Sequence, residues 1–436
     1  FIFVLKNFYD CLLMFFQFLS FTMKKIFYSF VLLSCIFPYV GCAQVFVGLD
    51  RIFSEGEYTR CIQGKKIALI SHSAAINSRG QDALSVFYSR KHDCTVEILC
   101  TLEHGYYGAT PTETVGNQPS RYPNLRSVSL YGVKEVPKEV AEHCDVFVYD
   151  VQDIGVRSYS FVTVLMQIVK ASERYGKQLI VLDRPNPMGG RIVDGPLPNP
   201  TTSGSLAIPY CYGMTPGELA LFFKKTYAPN ANVVVIPMKG WNRSMTFDET
   251  GLIWMPTSPQ MPDPQSPFFY AATGILGALS VASIGVGYTL PFKVLGAPWM
   301  DGEKVADELN RMKLPGVLFL PFFYEPFFGK YKMEMCSGVL LVLQDPKIFY
   351  PVETQCTIWG VLKALYPKQV EQTLKSIERI PARRSSICNL FGGDEFLSIS
   401  HKERYIVWPL RRLCKESRES FHQLRSSCLL SEYAES

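Results

Sequence analysis

The chain has 436 residues, a formal net charge of +5, a hydrophobic content of 47% and an aromatic content of 13%. This length predicts two domains, and this composition is that of a well-packed globular protein and excludes a disordered chain. Basic residues gather in the stretches 379–384 and 402–412. No nucleic-acid-binding motif accompanies them, so we predict a solvated helical face and no nucleic-acid partner.

The first 43 residues differ from the rest of the chain. A basic segment opens at Met23, residues 26–40 are apolar, and Gly41-Cys42-Ala43 supplies the small residues of a cleavage site. This is the pattern of a secretory signal peptide, so we expect translation to start at Met23 and a leader over 1–43. The protein is therefore predicted to be exported, to the periplasm or cell envelope. Two forms of membrane attachment stay open: lipidation at Cys42, and retention of the apolar leader as an anchor.

Short apolar strands alternate with helices through the next two hundred residues, a pattern typical of a doubly wound parallel sheet in an α/β domain. The predicted strands are 65–70, 96–102, 127–131, 146–150, 178–182 and 233–236. The predicted helices are 81–90, 137–143, 159–175 and one that begins after a Thr215 cap. A long polar loop, 106–123, follows the second strand, and its position favours a substrate-covering role.

A proline-rich segment at 254–267 predicts the boundary between two domains, because it can form neither regular helix nor central sheet. We therefore expect a catalytic domain over 44–265 and an auxiliary domain over 266–436. In the second of these, the pattern predicts helices at 302–312 and 357–365 and a strand at 338–343. A second, smaller α/β domain is the expectation.

Polar side chains follow three of the predicted strands at their carboxyl ends, where parallel sheets bind their ligands. If these three strands are neighbours, their polar side chains converge on one cleft. The candidate catalytic residues are Glu103, Asp153 and Asp150, and the candidate substrate-binding residues are His104, Gln152, Arg157, Asp183, Arg184 and Asn186.

Each of these groups has a chemical and a simpler structural interpretation. Glu103 is a general acid in a partly apolar cleft, or a surface carboxylate. Asp150 or Asp153 orients the reacting group, or caps the following helix. Arg157 binds a substrate anion, or pairs with one of these carboxylates. The loop from Asp183 to Pro187 is a binding loop stiffened by two prolines, or a turn that contains an ion pair.

Several other classes of enzyme lack their sequence motifs here. No Gly-x-Gly-x-x-Gly follows the first strand and no phosphate-binding Gly-x-x-x-x-Gly-Lys is present, so no nucleotide cofactor is expected. A metal hydrolase needs several histidines near the carboxylates, and only His72 and His104 qualify. We therefore predict no metal and no cofactor.

Many separate motifs together carry a resemblance to a known family. They are Leu102–Gly105, Asp150–Arg157, Leu182–Pro187, Gly213–Ala220, Gly240–Arg243, Ser258–Pro262, Pro291-Phe292 and Gly296–Trp299. From about Val47 to the C-terminus, the chain resembles the exo-β-N-acetylmuramidases of the NamZ type. The resemblance implies a Rossmann-like N-terminal domain that carries the active site and an auxiliary C-terminal domain. It implies removal of terminal N-acetylmuramic acid from the non-reducing end of peptidoglycan fragments, with Glu103 as the catalytic acid.

One segment departs from the family pattern. Where the family usually carries Ser-Glu-Gly-Arg-Gly-Thr-Thr, this chain has residues 283–289, in which Ile284 and Val286 replace the Glu and the Arg. The alternative function is therefore a catalytically degenerate protein of the same fold that binds cell-wall sugars. If the segment lines the cleft, restoring both charges is expected to raise activity or affinity and leave the fold intact.

Overall fold

Six parallel strands form the central sheet of the N-terminal domain, in the order β3-β2-β1-β4-β5-β6. The strands are β1 (Lys66–Ser71), β2 (Thr95–Thr101), β3 (Arg126–Ser129), β4 (Val146–Asp150), β5 (Gln178–Leu182) and β6 (Val233–Ile236). The structure is a computed structural model that describes residues 44–109, 122, 125–199, 206–402 and 405–434. This strand order is that of a Rossmann-like sheet, in which the order reverses between β1 and β4.

Helices cover both faces of this sheet, and for this reason its inner strands are apolar throughout rather than alternating. All five residues of β4 are buried, as are the last five of β1. The helices of this domain are α1 (Gly48–Arg51), α2 (Gly56–Thr59), α3 (Ala83–Ser89), α4 (Lys138–Glu142), α5 (Ser160–Tyr175) and α6 (Pro216–Tyr227). Helix α6 begins with the predicted cap: Thr215 Oγ1 accepts the Glu218 N–H, and the Glu218 carboxylate accepts the Thr215 N–H.

The second domain is smaller and contains a three-stranded antiparallel sheet in the order β7-β9-β8. Its strands are β7 (Val294–Ala297), β8 (Val317–Tyr324) and β9 (Cys336–Leu343). Its helices are α7 (Ser266–Leu279), α8 (Gly302–Arg311), α9 (Pro351–Leu365), α10 (Pro367–Glu378), α11 (Pro381–Phe391), α12 (Glu395–Lys402) and α13 (Val407–Arg425). The α/β class predicted for both domains is confirmed. The helices α7 and α10–α13 and the strands β7 and β8 were not predicted.

The end of the chain returns to the N-terminal domain. After α13, a short 3₁₀ turn (Ser431–Tyr433) places the Tyr433 ring edge-on against Trp241, with ring centroids 4.9 Å apart. Tyr433 is fully buried, its hydroxyl donates to Asp183, and it accepts the Met238 N–H at 2.8 Å. The C-terminal residues therefore help to close the core under the carboxyl end of β5.

Two predictions fall on residues that the structure does not describe. The leader over 1–43 lies outside the described residues, so export and attachment through Cys42 stay predictions. Most of the predicted loop 106–123 also lies outside them, and its covering role stays a prediction. Among the residues that are described, no helix has both the length and the apolar character needed to cross a membrane.

Candidate active site

The carboxyl ends of the strands meet along one edge of the sheet. However, β2, β4 and β5, the three strands followed by the predicted polar residues, are not all neighbours. Strand β1 lies between β2 and β4 and pairs with both. The predicted cleft is therefore divided by the end of β1, which carries His72. That histidine is buried, and its Nε2 accepts the Gln152 N–H at 3.1 Å. Burial lowers the His72 pKa to about 3, so the ring is neutral and holds the β4 end against β1.

Glu103 follows β2 directly, and its side chain keeps 21% of its surface exposed. Ser160, the first residue of α5, donates its hydroxyl to Glu103 Oε2 at 2.6 Å. The carboxyl group thus lies beside the N-terminus of a 16-residue helix, which fixes its position. A carboxyl group that is both fixed and accessible is able to exchange a proton with a ligand.

His104 takes a backbone conformation that is uncommon for a residue with a side chain. Its φ is +67°, in the left-handed region, where histidine is enriched among non-glycine residues. The Gly105 N–H donates to the Leu102 carbonyl at 3.0 Å and closes the turn. His104 Nε2 then lies 4.0 Å from Glu103 Oε1. The turn places the two adjacent side chains on the same side of the strand end.

The residues that follow this turn are tied to two other loops. The Tyr106 carbonyl accepts the Ser73 N–H at 2.7 Å, and the Tyr106 hydroxyl donates to Asp82 at 2.6 Å. Tyr107 points outward with half of its surface exposed. The start of the predicted loop is thus held in place, and an exposed aromatic ring lies four residues from Glu103.

Hydroxyl groups near Glu103 form a second set of polar contacts that the sequence analysis missed. Ser158 Oγ is 2.8 Å from the Tyr210 hydroxyl and 3.1 Å from the Tyr270 hydroxyl. Burial raises the pKa of Tyr270, and the Glu103 charge contributes to this increase. In the sequence, the Ser-Tyr-Ser stretch at 158–160, where the helix α5 begins, is the feature that could have predicted these contacts. Its tyrosine bonds Thr257 at 3.0 Å, so the start of α5 is bound to the proline-rich segment.

The carboxyl end of β4 differs from that of β2, because Asp150 is fully buried in an ion pair. Arg184 donates to both of its oxygens, at 2.5 and 3.0 Å, and also to the Ile76 carbonyl. Asp150 and Arg184 form a buried ion pair with hydrogen bonds on both carboxylate oxygens. Through it, and through the bond to Ile76, the ends of β4 and β5 and the loop after β1 are held together. The structure brings Asp150 and Arg184 together and gives neither of them an exposed surface.

Asp153 is also buried, but it has no cationic partner among the contacts of its carboxyl group. Its oxygens accept the Ile154 N–H at 2.7 Å and the Tyr212 hydroxyl. Burial raises the Asp153 pKa to about 6, and the bond from Tyr212 opposes this increase. This carboxyl group can therefore hold or release a proton near neutral pH.

Two other predicted binding residues, Arg157 and Gln152, are occupied by internal bonds. The Arg157 guanidinium donates to the carbonyls of Pro196, Ile208 and Leu390. It pairs with none of the carboxylates proposed for it, because these carbonyls surround it. Gln152 donates its amide to the carbonyls of Asp153 and Pro185.

Asp183 and Asn186 are bound in the same way. Asp183 accepts hydrogen bonds from Thr215, Gly217, Tyr433 and its own neighbour's N–H. Asn186 accepts the Met188 N–H and donates to the Met214 carbonyl. Its amide also lies directly against Gly155, whose φ of +79° and missing Cβ this approach requires. These residues shape the loops around the edge of the sheet.

The altered segment 283–289 is packed into the second domain. Ile284 is buried and belongs to the main hydrophobic core, where it lies against Gly277 of α7. The Ile284 carbonyl accepts the Phe292 N–H at 2.7 Å, and Ser283 pairs with Gly296. Val286 is half-buried against the same core. Core side chains cover Ile284, and the effect of the altered segment on activity or ligand binding stays a prediction.

Within the described ranges, no three His, Cys, Asp or Glu side chains lie close enough together to hold a metal ion. The fold and the strand-end site define a Rossmann-like α/β protein with a carboxyl group accessible at one strand end. A carboxyl group in such a position can exchange a proton with a bound ligand.

Comparison with known proteins then identifies the family. Residues 67–265 match the N-terminal model and residues 268–430 the C-terminal model of exo-β-N-acetylmuramidase NamZ. The chain is 33% identical over 333 residues to the peptidoglycan β-N-acetylmuramidase NamZ of Bacillus subtilis, which covers 75% of this chain and 80% of the relative. The chain belongs to the NamZ exo-β-N-acetylmuramidase family, and this membership supports a muramidase-like glycosidase.

Two solved structures from Bacteroides fragilis share the fold. One DUF1343 family protein superposes with a TM-score of 0.80 at 31% identity, over 89% of this chain and 99% of its own. A second DUF1343 family protein gives a TM-score of 0.65 at 22% identity, over the same shares of the two chains. The first supports the two-domain architecture, and the second supports the fold alone.

Proposed function

We propose that the protein is an exported glycosidase that removes terminal N-acetylmuramic acid from the non-reducing end of peptidoglycan fragments. The observation that carries this proposal is Glu103, a carboxyl group fixed by Ser160 at a strand end and still accessible. Family membership supplies the substrate class. In this proposal Glu103, when protonated, donates its proton to the oxygen of the departing sugar.

A glycosidase commonly needs a second carboxyl group. Asp150 and Asp183 accept hydrogen bonds from internal donors on both oxygens, whereas Asp153 has a pKa of about 6 and accepts bonds from a backbone N–H and a tyrosine hydroxyl. Asp153 is therefore the second carboxyl group in this proposal. It orients a water molecule or the acetamido group of the substrate, because a 2-acetamido sugar permits substrate-assisted chemistry.

The anionic lactyl group of N-acetylmuramic acid requires a positive or donating partner. Arg157 and Arg184 donate to internal acceptors, so we assign them to the scaffold. His104 lies on the accessible side of the turn, and a ring nitrogen of its side chain would supply a hydrogen-bond donor close to Glu103. The exposed Tyr107 ring offers a face on which a sugar can stack.

The test is release of N-acetylmuramic acid from a disaccharide in which this sugar is at the non-reducing end. The protein spanning 44–436 should release it, and Glu103→Gln should lower the rate by at least ~10²-fold. Glu97→Gln, a change on the strand that precedes Glu103 and at an exposed ion pair with Lys66, is the matched control and should keep the rate. An undiminished rate in Glu103→Gln removes Glu103 from the mechanism.

The same assay separates the enzyme from the degenerate sugar-binding alternative. Calorimetric binding of the disaccharide without any release of sugar would establish the alternative. Ile284 packs in the hydrophobic core of the second domain, and the assay decides whether the altered segment has reduced turnover.

Export is proposed from the leader sequence. Fractionation of cells that express the chain from Met23 should recover the protein in the cell envelope or periplasm. The Cys42→Ala variant distinguishes a lipid-anchored protein from a cleaved and secreted one. If Cys42 carries the lipid, membrane attachment is lost in this variant, whereas simple cleavage and secretion continue. Recovery of the full-length chain in the cytoplasm would contradict export.

A further inference from the structure

Two buried cysteines meet where α9 packs against α13. Cys356 of α9 and Cys414 of α13 both lie in the main hydrophobic core, with 2% and 1% of their surface exposed. Their side chains are hydrogen-bonded to each other. Within the described ranges no cysteine is in a disulfide, so the pair consists of two thiols. Neither thiol belongs to the strand-end site.

A glycine lets the two helices approach closely beside this pair. A Cβ atom at Gly360 of α9 would lie only 2.3 Å from Cγ2 of Val407, the first residue of α13. Gly360 is four residues after Cys356, so both positions lie on the same face of α9. A disulfide requires its two Cβ atoms to be about 4 Å apart. The missing side chain at Gly360 therefore favours the short helix–helix distance that a bridge at Cys356 needs.

A cluster of ion pairs fixes the helices on the other side of the pair. Glu353 lies on α9, three residues before Cys356. Its carboxylate pairs with Arg411 Nε at 3.2 Å and with the guanidinium of Arg418. Arg411 precedes Cys414 by three residues and Arg418 follows it by four, so these positions share one face of α13. The two thiols thus lie between the glycine contact and the ion pairs, in a register that is fixed on both sides.

Both helices are also bonded to loops of the N-terminal domain. At the start of α9, the Asp194 carboxylate accepts the N–H groups of Val352 and Glu353 at 2.8 and 3.1 Å. At the end of α13, Arg425 donates to the Gly190 carbonyl at 3.1 Å. A covalent bond between α9 and α13 therefore ties together two separate attachments of the second domain to the first.

We propose that Cys356 and Cys414 form a disulfide bond after export, an inference that rests on the export part of the proposed function. Disulfides form and persist in oxidising compartments such as the periplasm. The oxidant is a disulfide-bearing thiol oxidoreductase of the cell envelope. One cysteine thiolate attacks the disulfide of the oxidant, and the second cysteine displaces the oxidant from the mixed disulfide. The Sγ–Sγ bond forms, the S–S bond of the oxidant breaks, and two protons and two electrons leave with the oxidant as a dithiol.

The bond forms before α13 packs against α9. The hydrogen bond with Cys356 and burial in the core raise the pKa of the Cys414 thiol well above its ordinary value. Only a thiolate attacks a disulfide, so exchange at this position is slow once the helices have packed. The same burial protects the finished bond from reductants.

Cys100 and Cys144 are the internal comparison. Cys100 is on β2 and Cys144 lies two residues before β4, with β1 between these two strands. Two strand spacings amount to about 10 Å, which is beyond the reach of a disulfide. The Cys144 thiol donates instead to the Ala141 carbonyl at 3.9 Å. These two cysteines should remain thiols under the conditions that oxidise Cys356 and Cys414.

The first experiment maps the cysteines of the exported protein. Cells that express the chain from Met23 are lysed and denatured with N-ethylmaleimide, which blocks free thiols, and the protein is digested without reductant. Mass spectrometry should find the Cys356 peptide joined to the Cys414 peptide, with Cys100 and Cys144 as maleimide adducts. Blocked thiols at 356 and 414 in protein from the periplasm or envelope would overturn the proposal, as would a bond from either to another cysteine.

Refolding separates this inference from export. The protein spanning 44–436 is reduced, unfolded and refolded in a mixture of reduced and oxidised glutathione, and the same bond should form. If cell fractionation finds the protein in the cytoplasm, export fails, and a bond after refolding still supports the pairing. Free thiols at both positions after refolding would overturn the pairing whatever the result for export.

Thermal unfolding measures the effect of the bond. Because the bridge closes a loop of about 60 residues, the oxidised protein should have a Tm about 5 °C above that of the same protein refolded with dithiothreitol. Cys414→Ala should remove this difference. Cys144→Ala, the same change at another buried cysteine, is the matched control and should keep it. Comparing each variant with and without reductant cancels the cost of the cavity that alanine leaves.

A difference in Tm that persists in Cys414→Ala would show that another bridge is responsible and would overturn the assignment. If Cys414→Ala does not fold, the peptide map of the wild-type protein decides the proposal by itself.

Discussion

The carboxyl ends of β2 and β4 carry the same type of side chain in opposite environments. Glu103 at the end of β2 is accessible and held by a serine hydroxyl. Asp150 at the end of β4 is completely buried and held by two bonds from Arg184. A carboxylate that is saturated by an internal cation stabilises the fold, whereas an accessible one can contact a ligand.

The position of each strand in the sheet explains this difference. β4 is central, flanked by β1 and β5, so loops from both neighbours close over its end. β2 lies one strand from the edge, and the turn after it leaves the sheet through the left-handed His104. Strand order therefore sorts similar polar motifs into scaffold and candidate site.

The largest expected effect on stability comes from disrupting the buried ion pair at the end of β4. Asp150→Asn leaves the buried Arg184 charge without its anionic partner, and should lower the free energy of unfolding by about 3–5 kcal/mol. Glu103→Gln, measured by the same denaturant titration, should stay within about 0.5 kcal/mol of wild type. A larger loss in Glu103→Gln than in Asp150→Asn would reverse the assignment of scaffold and site.

A double substitution of Asp150 and Arg184 tests whether the loss of stability comes from the unpaired charge. Asp150→Leu with Arg184→Met removes both charges, so no buried charge is left unpaired, and the double variant should be more stable than Asp150→Asn. If it is less stable, hydrogen bonding by Arg184 to the Ile76 carbonyl matters more than the ion pair.

The next effect concerns the altered segment. Ile284→Glu with Val286→Arg places a carboxylate in the buried core against Gly277, and should lower the free energy of unfolding by about 2–4 kcal/mol. Activity should not rise. Val286→Arg alone, at a half-buried position, is the control and should cost less than the pair. A double variant with wild-type stability and faster turnover would show that Ile284 faces the ligand.

The smallest effect is a pH dependence at Asp153. Its folded-state pKa of about 6 lies above the ordinary value of about 3.9, so its contribution to stability is fully present below pH ~4 and is lost as the pH rises through 6. The total change is at most about 3 kcal/mol. The difference in unfolding free energy between wild type and Asp153→Asn should therefore fall between pH 4 and 7. A constant difference would show that this carboxyl group titrates normally.

Several parts of the fold were readable from local sequence. Periodic apolar runs predicted all six strands of the central sheet, and the Thr215 cap predicted the start of α6. The polar motifs that follow β2, β4 and β5 were also correctly predicted to lie at one edge of the sheet. Local signals of this kind suffice because burial and capping act within a few residues.

The secondary structure of the second domain was harder to predict from the sequence, for a physical reason. Strand β8 contains a proline and pairs only with β9 along one edge, so its residues alternate poorly between buried and exposed. Its stability comes from contacts distant in sequence, and these leave no periodic pattern. Two of the terminal helices, α10 and α13, do bury residues at helical spacing, such as Val370, Leu374 and Ile377 of α10, so this local signal was present and was missed.

The sequence by itself determined the family, the two α/β domains and the identity of the polar residues at the strand ends. Only the tertiary structure decided which of those residues are accessible. It placed β1 between β2 and β4, gave Arg184 to Asp150, and surrounded Arg157 with carbonyl groups. Accessibility depends on which distant segments cover a side chain, and residues as remote as Leu390 and Tyr433 provide that cover. No local pattern encodes such contacts, because the partners meet only when the chain has folded.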